Sequence, residues 1–308
     1  MSMEKREKNK TAWVLTALAV PVMQAASGCS WLTVATLGGL CLGVCAGVEA
    51  FGVPESKWLC GLKWAWMTVI LSMGLGWSLY CWTTGSWLIP GTLLLLAGWT
   101  AAGGEERSMR AGNLLRFFLI ALLGAVLLSG GWDVKVENLW PDWRLDNADL
   151  VTVLLLPATG ACLGGKGTGP KLALLVLAIG VSVVVTGVLS GAYAAVQTSA
   201  FYELSKCVRL FGVAERFESL AAAGMTLGYY IFACWCLNLC GEWSRVVTGE
   251  ERKWPICLTV VTAFLGFFVK WKKMGYFVPI GTVIVFVLAP LAAALIRIFV
   301  ERKKNLKN

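Results

Sequence analysis

The apolar run KLALLVLAIGVSVVVTGVLSGAY, residues 171–193, limits what this chain can be more than any other feature. About 20 apolar residues are enough to cross the hydrocarbon core of a bilayer as a helix. Comparable segments occur at 12–28, 31–51, 58–83, 87–103, 112–131, 149–164, 217–241, 254–270 and 276–299. They raise the hydrophobic share to 57% and the mean hydropathy to +0.70. A water-soluble fold of 308 residues would expose large apolar patches with such a composition. The spacing therefore predicts an all-α integral membrane protein of about ten transmembrane helices. No linker or shift in composition divides it, so 1–308 is read as a single transmembrane domain.

Charge orients the segments. The chain carries 27 Lys+Arg against 18 Asp+Glu, a formal net charge of +9. In a soluble protein that excess would point to nucleic acid. Here the basic residues lie mostly in short connections between apolar runs, so topology explains them and no nucleic-acid partner is expected. Ten spans place both termini on one side, and most Lys and Arg fall there. The positive-inside rule then gives N-in, C-in, with a cytoplasmic tail at 1–11 and a basic cytoplasmic tail at 300–308. The exception is KWKK, with Lys270, Lys272 and Lys273 on the outer side. Tryptophans such as Trp31, Trp58, Trp87, Trp132, Trp243 and Trp254 stand near segment ends, as interfacial anchors do. The connection 194–219 reads as an extracellular loop with a short amphipathic surface helix.

Several chemistries are disfavoured. The chain has no histidine, the commonest general base and metal ligand. Most of its 11 cysteines lie inside apolar runs and read as packing residues. Cys236 and Cys240 share a helix face, but no residue completes a metal site. No metal, cofactor or enzymatic activity is expected. The stretch AASGC resembles a lipoprotein cleavage site, but another apolar span follows Cys29 at once. GACLGGKG, 160–167, nearly matches a phosphate loop, yet it lacks the metal-binding hydroxyl and follows an apolar helix.

Proline inside a span is a stronger signal, because lipid leaves freed backbone groups without partners. Pro21 frees the carbonyl of Ala17 and Pro157 that of Val153. Small polar residues follow each: Gln24, Ser27 and Gly28 after the first, Thr159 and Gly160 after the second. The two prolines fall in the first and sixth spans, at matching places if the fold is two five-helix halves. Paired helix breaks of this kind predict a binding site near mid-membrane. The plainer reading is two kinked, packed helices. The row Gly39, Gly43, Gly47 predicts close helix packing. Glu106 and Arg110, at i,i+4, predict a pair supporting the start of the fifth span.

With these residues in view, the chain resembles the spore germination permease family. Its members are the permease-like B subunits of nutrient germinant receptors, similar to amino acid permeases of the amino acid–polyamine–organocation superfamily. The resemblance is carried by GEERSMR (Gly104, Glu106, Arg110), VENLWP (Asn138, Leu139, Pro141), and FYELSKCVRLFGVAERFESL with its charge motif Glu215, Arg216, Glu218. The first-span pattern Pro21, Trp31, Leu32 adds to it. The chain departs from the family in its length and in a compressed stretch between Pro141 and Pro157.

The resemblance implies a LeuT-like fold of two inverted five-helix repeats in the spore inner membrane. It implies a germinant-receptor subunit that senses a small amino acid-like nutrient alongside other receptor subunits and membrane lipid. The expected ligand contacts are Gln24, Ser27, Thr152, Thr159 and Thr226, beside Pro21, Gly28, Pro157 and Gly160. Trp66, Trp77, Tyr80, Tyr229 and Tyr230 are the expected aromatic walls. Two alternatives stand beside it: a secondary amino acid or polyamine transporter, and a ligand-blind structural subunit. A transporter lacks an obvious proton carrier, since Glu49 and Asp149 lie near span ends.

Overall fold

The computed structural model describes residues 3–50, 56–80, 87–139, 168–197, 199–207, 217–268 and 277–305. All regular structure among them is helical. In chain order the helices are α1 (Met3–Ser27), α2 (31–50), α3 (Lys57–Tyr80), α4 (Leu88–Ala102), α5 (Glu105–Trp132), α6 (Thr168–Leu189), α7 (Gly191–Val196), α8 (Ala200–Cys207), α9 (Phe217–Thr248), α10 (Lys253–Phe267) and α11 (277–305). Each expected span except 149–164 coincides with one of them; that segment lies outside the described residues. Five helices among the described residues are long and apolar enough to cross a membrane: α3, α5, α6, α9 and α11. The described part of the chain is thus all-helical and fit for multiple passes through a bilayer.

α9 is the hub. It packs against α1, α3, α4, α5, α8 and α10. The most apolar window of α9 is 72% buried, against 28% for α5 and for α11, whose outer faces are free for lipid. Glycine makes the centre tight. A Cβ on Gly224 would strike Leu122 of α5, and one on Gly228 would strike Val20 of α1. α1 is buried almost continuously from Trp13 to Ser27 and also contacts α5, α6 and α8.

Two expectations need correction. Pro21 does not break the first span: α1 runs unbroken from Met3 to Ser27 with Pro21 inside it. One missing N–H costs a single hydrogen bond, which the tight packing of α1 outweighs. The break comes at Gly28–Ser30, between α1 and α2. Second, the row Gly39, Gly43 and Gly47 makes no close approach among the described residues: a Cβ on any of the three would meet no described atom within 4 Å. α2 instead meets α6 through its first turns. α8 is amphipathic, with Lys206 and Cys207 on its exposed face. Phe201 and Leu204 are fully buried, and α8 contacts α1, α5, α6 and α9. In addition, the helical conformation extends through most of the two expected tails, from Met3 and as far as Asn305.

Local sequence explains other details. Gly104 has φ +100, which lets α4 turn sharply into α5. Glu105 and Glu106 then occupy the first turn of α5, where carboxylates favour the helix dipole. Glu106 accepts from Arg110 at 2.9 Å on the exposed face, the pair expected from the i,i+4 spacing. α11 contains a π turn at Ile284–Leu288 just before Pro290. A widened turn there accommodates the N–H that proline lacks.

The packing separates two kinds of glycine. Gly228→Val should destabilise the fold by about 2–3 kcal/mol, from overpacking against Val20. Gly43→Ala should leave it unchanged or slightly stabler. Unfolding followed by circular dichroism in detergent micelles measures both.

A buried polar seam at the α1–α2 turn

Gln24 and Ser27 are carried on the last turns of α1, followed by Gly28, Cys29 and the extended Ser30. This turn is buried, so its backbone groups need partners inside the protein. They find them. The Cys29 N–H donates to the Ala26 carbonyl at 3.1 Å, and the Val34 N–H to the Ser30 carbonyl at 3.0 Å. The Ser27 hydroxyl donates to the Gln24 carbonyl at 2.9 Å. The Cys29 carbonyl accepts from the hydroxyl of Ser182 on α6. Ser199, just before α8, donates to Gln24 Oε1 at 2.8 Å. Gln24, Ser27, Cys29, Ser182 and Ser199 are all buried.

A second ring of bonds encloses the turn. Trp31, at the start of α2, donates Nε1–H to the Leu139 carbonyl at 3.0 Å. Asn138 donates Nδ2–H to the Gly187 carbonyl at 2.9 Å, and the Lys135 N–H reaches the same carbonyl at 3.1 Å. Gly187 has to be bare, because a Cβ there would come within 2.6 Å of Val134. Two of the motifs that carried the family resemblance therefore meet: Trp31 is locked to Leu139, and its neighbour Asn138 to α6. Beyond α6, Ser190 adopts φ +66, unusual for a residue other than glycine, and turns the chain into α7.

The other expected site residues are dispersed. Trp66 donates Nε1–H to Thr282 of α11 at 3.0 Å. Tyr230 shares a hydrogen bond of 2.8 Å with Thr100 of α4. Tyr229 is buried beside Gly74 of α3. Thr226 returns its hydroxyl to the Ala222 carbonyl at 2.8 Å, within α9. Gln24, Ser27 and Gly28 are thus brought together, while Trp66, Thr226, Tyr229 and Tyr230 face separate neighbours. Thr152, Pro157, Thr159, Gly160, Glu215 and Arg216 lie outside the described residues, as do the side chains of Trp77 and Tyr80. Sequence reasoning did not single out Ser182 and Ser199. A lone serine in an apolar run or a loop carries no period or motif to mark it.

Two charge clusters frame the fold. On α8, Lys206 pairs with Glu203 at 2.7 Å. That hydrogen bond holds the ammonium above its ordinary 10.5, with Glu218 of the charge motif a smaller contributor. The pair's contribution is complete below the ordinary lysine value and fades as pH rises through the raised one. At the opposite end of the bundle, Lys10 of α1 pairs with Glu105 of α5 at 2.6 Å. There Asn238 of α9 donates to Ser108 at 2.7 Å and accepts from Arg252. Burial pulls the Arg252 guanidinium below its ordinary range, against the nearby Glu242 and Glu105.

No protein-family model matches the chain, and no curated protein matches it.

The seam predicts a measurable coupling. In a Gln24→Leu and Ser199→Ala double-mutant cycle, the interaction energy should be about 0.6–1 kcal/mol, the usual size for a hydrogen bond between membrane helices. Chemical unfolding in mixed micelles reads it. The same cycle between Gln24 and Thr100 should give a value near zero.

Proposed function

We propose that this chain is a membrane subunit of a spore germinant receptor, which senses a small amino acid-like nutrient within the bilayer. The observation that carries the reading is the interrupted, polar end of α1. Gln24, Ser27 and Cys29 lie buried at a helix break, next to the resemblance residues Trp31, Asn138 and Leu139. Interrupted helices with free dipole ends are how membrane proteins hold small zwitterions. A ligand here would take over Gln24 from Ser199, and so alter the tie between α1 and α8. It would signal only through different affinity for the two arrangements. The reading extends to a LeuT-like pair of inverted five-helix repeats, N-in and C-in, in the spore inner membrane with other receptor subunits.

One observation favours a second reading, a ligand-blind structural subunit. The seam's hydroxyls and carbonyls bond one another: Ser182 with Cys29, Ser199 with Gln24, Ser27 with its own helix. A site already closed on itself has less to offer a ligand.

Equilibrium binding of radiolabelled amino acids to the protein in proteoliposomes separates the readings. The sensor should bind one of them saturably without accumulating it, and Gln24→Ala should weaken binding at least tenfold, about 1.4 kcal/mol. Accumulation would instead identify a transporter. If no amino acid binds, and Gln24→Ala with Ser27→Ala leaves the spore's nutrient response intact while deletion abolishes it, the structural subunit is the right reading.

A further inference from the structure

We propose that the groove between α3 and α10 binds an anionic phospholipid, one acyl chain in the groove and the phosphate at the paired starts of the two helices. The site is separate from the α1–α2 seam.

α3 and α10 lie side by side and run in the same direction. Trp64 Nε1–H donates to Thr259 at 2.8 Å, and the Ser72 hydroxyl to the Ala263 carbonyl at 3.0 Å. Between them is a groove of about 400 Å³, lined by Ala65, Thr68, Val69, Leu258, Thr262 and Gly266 among others. Its hydroxyls are already committed. Thr68 donates to the Trp64 carbonyl at 3.0 Å, Thr259 to Pro255 at 2.8 Å and Thr262 to Leu258 at 2.7 Å. A groove with no free donor suits hydrocarbon and disfavours a polar ligand.

Both helices open with the same dipeptide, Lys57-Trp58 and Lys253-Trp254, and all four residues are exposed. Because the helices are parallel, both positive dipole ends point to this one end of the bundle, where an anion is favoured. Helical spacing then leads from the charged end into the groove. Trp58, Leu62, Ala65 and Val69 share one face of α3, and Trp254, Leu258, Thr262 and Gly266 one face of α10. Lys57 stands about 10 Å from Trp64 along the axis, a reach that fits a headgroup above its own acyl chain. Exposed Glu250 and Glu251 precede α10 and offset the two lysines, while Lys63 of α3 and Arg252 at the start of α10 leave this end positive. These charges favour a lipid over a second protein helix, which would bring hydrocarbon but no phosphate.

Native mass spectrometry of the full-length protein, released from vesicles of equal phosphatidylglycerol and phosphatidylcholine with matched acyl chains, tests the site. Wild type should retain phosphatidylglycerol with about tenfold preference, from two lysines near the membrane surface. Lys57→Gln with Lys253→Gln should bring the preference close to one. Thr262→Trp, which fills the groove, should remove the retained lipid while the thermal midpoint holds. If Thr262→Trp lowers the midpoint, Ala65→Leu serves as the milder fill. Equal retention of both lipids by wild type overturns the proposal, as does retention that survives a folded groove-filling variant. Loss of self-association in place of lipid on filling the groove would also overturn it.

Discussion

The close approach of α1 to α9 is the contact on which the rest depends. Inside hydrocarbon, apolar helices gain little by leaving lipid for one another, so association relies on close packing and on hydrogen bonds. Gly228 lets Val20 sit against the α9 backbone, and Gly224 does the same for Leu122 of α5. With α1 drawn to the hub from Trp13 to Ser27, its last turns finish within the protein. The helix break at Gly28–Ser30 is therefore largely enclosed, and the polar groups that its own turns do not satisfy need partners from neighbouring elements. α6 and the start of α8 supply them through Ser182 and Ser199.

Hydropathy made the helices legible, because the length of an apolar run follows from the thickness of the bilayer. It could not show which face of a helix meets another helix and which meets lipid. The row Gly39, Gly43, Gly47 and the pair Gly224, Gly228 look alike in sequence; among the described residues, only the second is tightly packed. Pro21 was misleading for a related reason. The missing N–H is a local penalty, and the packing around α1 is larger than that penalty. The polar residues after Pro21, Gln24 and Ser27, do lie in a buried polar cluster. The partner of Gln24 comes from 175 residues away and that of the neighbouring Cys29 carbonyl from 153, beyond the reach of any local pattern.

The seam and the cluster around Arg252 mark opposite ends of the same hub. At one end α8 and α6 hold α1 through serine hydroxyls. At the other, Lys10 and Glu105 join α1 to α5, while Asn238 joins α9 to α5 and to the start of α10. α1 is thus held at both ends by polar bonds and along its length by packing.

α4 and α10 are each 15 residues long and pack on one another, with Gly98 against Val260 and Gly91 against Phe264. Each is about 22 Å long, well short of a typical hydrocarbon core of about 30 Å. This flank of the molecule favours a locally thinner membrane or a steeper tilt, while the long α9 beside it suits a thicker one. The molecule is consequently lopsided with respect to bilayer thickness, and a change in the length or order of the surrounding fatty acids loads its two flanks unequally.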